Sequence, residues 1–171
     1  MLLRTLRALA HTAAGIWLGG MVMLAIVAPT TFGVMRTTGV DNPDAIAGQV
    51  MARNFVRFDK VQMSCAAVLL VWTSTTILRK PSTRDWVRAA LIAAAAGLML
   101  YSAWTLTPRI LDLQPILAGP DPDSAMRAAF DQFHATSVRI AQALLLLLVI
   151  VNLELALPIE PAPLNPLPGE K

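Results

Sequence analysis

Charged side chains leave four long gaps in this chain, and the gaps predict its architecture. No Lys, Arg, Asp or Glu stands between Arg7 and Arg36, between Lys60 and Arg79, or between Arg88 and Arg109; after Arg139 the run ALLLLLVIVNLELAL carries only Glu154. Each gap holds about 18–21 usable apolar residues, which at about 1.5 Å per helical residue matches a hydrocarbon core of about 30 Å. Backbone N–H and C=O groups cannot stay unpaired in lipid, so the gaps predict helical spans near 8–30, 60–79, 87–107 and 137–157. Pro29 and Pro108 stand at the ends of the first and third runs, where a missing N–H costs little.

The connections opposite the termini are themselves patterned. Asp41-Asn42-Pro43-Asp44 supplies an N-cap followed by proline at the first helical position. Ile46, Ala47, Val50, Met51, Phe55 and Phe58 then recur at helical spacing opposite Gln49, Arg53 and Arg57, an amphipathic helix leading into the second span. Asp121-Pro122-Asp123-Ser124 repeats the start signal, and Met126, Ala129, Phe130, Phe133, Ser137 and Ile140 carry the stripe into the fourth span. The expected fold is an all-α, antiparallel four-helix transmembrane bundle with two amphipathic extensions, one domain over residues 1–157. The proline-rich tail 158–171 reads as extended and poorly ordered.

Composition agrees with the pattern. The 171 residues are 56% hydrophobic and 15% charged, too few charges to cover a soluble domain and too much apolar material for disorder. One cysteine excludes an intrachain disulfide framework and any multi-cysteine metal site. Basic residues divide evenly between the two sides, but Arg79, Lys80, Arg84 and Arg88 crowd one short connection and Arg4 and Arg7 flank the first span. That density predicts both termini in the cytoplasm, with the first span as an uncleaved signal-anchor in a bacterial inner membrane. The net charge of +3 follows from topology and does not call for nucleic acid.

Several constellations invite chemistry. His11 and Glu154 are ionisable groups inside apolar spans, and antiparallel threading brings both to the terminal pole, as a pair or as two groups reaching separately for the headgroups. Bis-imidazole haem fails on distance, because His11 and His134 lie about 25–30 Å apart at opposite ends of the bundle. Asp131, His134 and Ser137 fall at i, i+3 and i+6, but nothing nearby supplies an exposed nucleophile or an oxyanion hole; a polar cluster with Arg109 and Arg53 at the outer pole, away from the termini, is the better reading. Eight methionines and Cys65 could suit Cu(I), yet no MxxM pair exists and core filling explains them. Gly15 and Gly19 form a G-x-x-x-G face which, with Gly20, lets the first span approach a neighbour, and Trp17 lies too deep for an interfacial belt. No catalytic residue, cofactor or metal is expected.

His11, Trp17-Leu18-Gly19-Gly20, Ala28-Pro29 and Phe32 resemble the opening span of the transmembrane protein 205-like family of small four-span membrane proteins. Gly48-Gln49-Val50-Met51 through Phe55 and Phe58, then Pro108-Arg109, then Phe130 with His134 and Ser137, are similar to its later motifs in the same order; Ala141 and Gln142 stand where family members tend to carry asparagine. The resemblance implies the fold and an outer pole where these residues converge, but no biochemical activity. Within it, Arg109 is expected to reach the Asp131/His134 cluster and lock the third span to the fourth. The leading expectation is a non-enzymatic accessory, scaffolding or binding subunit, whose partners are the bilayer and another membrane protein or a second copy. The competing class is a small-molecule or copper-handling transporter similar to copper-resistance membrane proteins.

Overall fold

The computed structural model describes residues 2–79, 81–117 and 123–157, so the expected tail at 158–171 lies outside the described residues. Four helices account for nearly all of them: α1 (Leu2–Thr37), α2 (Pro43–Ile77), α3 (Thr83–Leu117) and α4 (Ser124–Ala156). There is no strand among the described residues. Each helix packs on the next, and α4 returns to α1, which closes an antiparallel up-and-down bundle. Three helices, α1 from Arg4, α3 and α4, are long and apolar enough to cross a membrane, which points to an integral membrane protein. The stretch of α2 from Asp44 to Lys60 carries five charged side chains, and α2 is not among those three.

Both expected proline stops give way to continuing helix. α1 runs past Pro29 to Thr37, while the Thr30 and Thr31 hydroxyls donate to the Ile26 and Val27 carbonyls (both 2.8 Å) beside the break in the ladder. α3 passes Pro108 through a π-turn at Ser102–Leu106, where the Thr107 N–H reaches back five residues to the Ser102 carbonyl. The shift in hydrogen-bond register falls immediately before the residue that lacks an N–H.

The turns explain the other helix ends. Left-handed backbone at Gly39 (φ 69°) and Asn42 (φ 52°) reverses the chain between α1 and α2, and Pro43 starts the second helix. Arg36 clamps that turn with a bidentate pair to Asp44, Nε–Oδ1 2.7 Å and Nη2–Oδ2 3.1 Å. α3 opens on a reciprocal capping box between Ser82 and Asp85, and α4 on Asp123, whose carboxylate accepts the Ala125 N–H at 2.9 Å.

The core contains one large, fully buried side chain from each helix: Trp17, Leu69, Ile92 and Leu148. Around them lie Ala10, Ala13, Ala14, Cys65, Ala66, Ala95 and Ala96. Small residues let helix backbones approach closely, which is how helices gain packing where lipid is as apolar as the core.

Candidate functional site

Polar groups collect at three levels of the bundle. In the core, the Trp17 indole N–H donates to the Gln62 carbonyl oxygen at 2.8 Å, and the Gln62 amide donates to Asp59 Oδ1 at 3.1 Å. The Thr107 hydroxyl, immediately after the π-turn, also bonds Asp59. This chain ties α1, α2 and α3 together through groups of which Trp17 and Gln62 are buried. Burial pushes the Asp59 carboxyl up, against the opposing pull of its two hydrogen bonds. Sequence reasoning missed Gln62 and Asp59 because they stand at the edge of the second charge gap, where polar residues ordinarily face the headgroups. The one available signal was Trp17, a deep indole that needs an acceptor.

At the terminal pole the expected His11–Glu154 pair is replaced by stronger partners. Glu154 accepts from Arg84 Nε at 2.9 Å and lies 3.7 Å from Arg88 Nε, while Arg88 Nη2 donates to the Glu154 carbonyl oxygen at 2.8 Å. Arg88 Nη1 is also 3.5 Å from Asp85. His11 takes a hydrogen bond from Arg7 Nε on its Nε2 at 3.4 Å, and a nitrogen that accepts is that of a neutral imidazole. A guanidinium outbids a neutral ring for a carboxylate, so α3 rather than α1 supplies the partner of Glu154. Two residues earlier on α4, the Asn152 amide donates to the Leu148 carbonyl (2.8 Å) and to the Ala14 carbonyl on α1 (3.3 Å).

At the outer pole Arg109 does reach α4, but its guanidinium lies over the Phe133 ring, 5.3 Å from the centroid, rather than on Asp131 or His134. His134 stacks on Phe130 (5.8 Å, 3° between planes). No hydrogen bond links Asp131, His134 and Ser137 among the described residues, and Asp131 forms no ion pair there with Arg127, one helical turn before it. All three charged or basic groups are exposed, so water competes for them. Arg53 lies apart from them, lining a shallow groove of about 240 Å³ with Gln49, Leu111 and Gln114.

The glycines divide by role. A methyl group at Gly20 would run into the Phe58 ring, so Gly20 marks the close approach of α1 and α2. Gly15 and Gly19 face open space, which places the G-x-x-x-G face on the outside of the bundle rather than in its packing. Cys65 is buried, and no three His, Cys, Asp or Glu side chains gather as a metal site among the described residues.

Comparison with known families assigns the chain. A family model described as a domain of unknown function, DUF4149, matches residues 12–116, more than half of the chain. The chain belongs to the DUF4149 family. The DUF4149 match takes in α1 from Thr12, α2 and nearly all of α3, and with them Trp17, Asp59, Gln62 and Thr107; Glu154 and the α4 residues of the outer pole lie beyond it. No curated protein and no solved structure matches the chain.

Proposed function

We propose that this DUF4149 protein is a non-enzymatic integral membrane protein that works by association, an accessory or scaffolding element whose α1 receives another transmembrane helix. One observation carries the reading. Thr12, Gly15, Gly19, Val22, Ile26, Pro29 and Gly33 are all exposed along α1, at alternating spacings of three and four. That is the 3.5-residue repeat of a helix–helix seam, with the small residues of a close crossing, Thr12, Gly15 and Gly19, in its first half. Only 6% of the most apolar stretch of α1 is buried inside the bundle, against 28% and 22% in α3 and α4.

The same reading takes α2 as a fourth span over 60–79, with both termini in the cytoplasm of a bacterial inner membrane. Support comes from the packing of α2 along α1 and α3 and from the arginines at the terminal pole. The likeness to transmembrane protein 205-like proteins is compatible with it. A transporter or copper-handling protein is the competing reading, and the Trp17–Gln62–Asp59 chain is the observation in its favour.

Native mass spectrometry after extraction in mild detergent tests the proposal. The wild type is expected to carry a stoichiometric membrane partner, either its own copy or another protein, and the Gly15→Leu/Gly19→Leu double variant to lose it. The variant should keep the melting temperature of the isolated chain, since nothing meets those Cβ positions. A wild type that is monomeric and partner-free contradicts association, and stoichiometric copper would favour the competitor.

A further inference from the structure

Among the described residues, the terminal pole holds more positive charge than its carboxylates neutralise. Arg84 and Arg88 share Glu154, and Arg88 also lies by Asp85, one of whose oxygens is engaged by the Ser82 N–H and hydroxyl at 3.0 and 2.7 Å. Arg7 has no acidic partner among the described residues; its one hydrogen bond goes to the neutral ring of His11. The charges of Arg7 and Arg84 both bear on the Arg88 guanidinium, so the three cations form one electrostatic group. Arg88 is only 5% exposed, and its Nε–H finds no hydrogen-bond acceptor. The N-terminus of α3 adds its positive dipole end at the same level.

An unmatched cation half-buried at this depth is unfavourable unless an anion joins it. Arg7 and Arg88 close the ends of charge-free runs, and the exposed Trp86 indole marks the same boundary. Phosphate groups concentrate there. A guanidinium donates paired N–H bonds that fit phosphate oxygens, and the five donors of Arg7 serve one weak acceptor among the described residues.

We propose that the terminal pole is a binding site for a single phosphate group, held by Arg7 beside the Arg84–Arg88–Glu154 cluster. A phospholipid headgroup and free phosphate share this chemistry, and the experiment separates them. The full chain is delipidated and placed in nanodiscs of phosphatidylcholine alone, of phosphatidylcholine with phosphatidylglycerol, or of phosphatidylcholine with millimolar inorganic phosphate. Retained lipid is counted by native mass spectrometry and the melting temperature is read in each.

The wild type is expected to retain one phosphatidylglycerol and to melt higher with it. Arg7→Gln should weaken retention about fivefold, the equivalent of about 1 kcal/mol for one interfacial arginine. Arg127→Gln, an exposed arginine at the opposite pole, should leave retention unchanged. A melting shift from inorganic phosphate alone, lost in Arg7→Gln, supports the site with a free anion as its ligand. Equal losses in Arg7→Gln and Arg127→Gln would mean diffuse attraction and overturn the proposal, as would the absence of any response to either anion.

Discussion

Single side chains set the register of the helices. Trp17 and Gln62 lie on different helices with both polar groups buried, so each is the other's means of satisfying a donor or acceptor that lipid cannot. A double-mutant cycle of Trp17→Phe and Gln62→Leu, read as unfolding free energy in detergent, should give a coupling of about 0.6 kcal/mol and not above about 1.7 kcal/mol. Gly20 acts by absence: Gly20→Val drives two methyl groups toward Phe58 and should destabilise by about 1–3 kcal/mol, whereas Gly15→Val should have almost no effect on the isolated chain. Equal losses at the two positions would show that intrinsic glycine effects, and not the Phe58 contact, decide. These residues also mark the limit of legibility. Trp17 is conspicuous in the sequence because an indole so deep in an apolar run needs an acceptor. Gln62 is not, because its depth depends on how α2 slides against α1, and a charge gap locates a span without giving its register. Glu154 is similar: threading places it at the terminal pole, but whether α1 or α3 supplies its partner depends on which helix leans nearer.

At the scale of elements, the charge-free runs made the helices legible and the prolines obscured their ends. Pro29 and Pro108 read as stops because proline removes a hydrogen bond. Within α1 the loss falls beside two threonine hydroxyls that back-bond to the carbonyls there, and within α3 a π-turn precedes it. The α1–α2 turn depends on a different device, the Arg36–Asp44 clamp. The Arg36 guanidinium holds the Asp44 carboxyl below its ordinary value of 3.8. A carboxylate whose folded value is depressed stabilises the fold above its unfolded value, and that contribution disappears as pH falls through the folded value. The melting-temperature difference between wild type and Arg36→Gln should therefore be constant above about pH 4 and shrink below it. Both partners are exposed, so the difference should be small and should fall with added salt. A difference that grows as the pH drops would contradict the clamp.

For the whole molecule, the opposing faces of α1 connect fold to function. Its inner face supplies Ala10, Ala13, Ala14 and Trp17 to the core, while its outer face repeats small and apolar residues at coiled-coil spacing and stays exposed among the described residues. The sequence showed the G-x-x-x-G pair but not which way it pointed, because that requires knowing which face of α1 the other three helices occupy. At the outer pole the expected link from α3 to α4 forms, but through a different contact: Arg109 rests on the Phe133 ring rather than on Asp131 or His134, and His134 stacks on Phe130 of its own helix. The most direct test of association through α1 is a cysteine scan in a Cys65→Ser background, with disulfide or bifunctional cross-linking in native membranes. Cysteines at positions 12, 15, 19, 22 and 26 should cross-link to a partner, and those at 10, 13, 14 and 17 should not. Uniform silence along the exposed positions, or cross-linking without the 3.5-residue repeat, would contradict it.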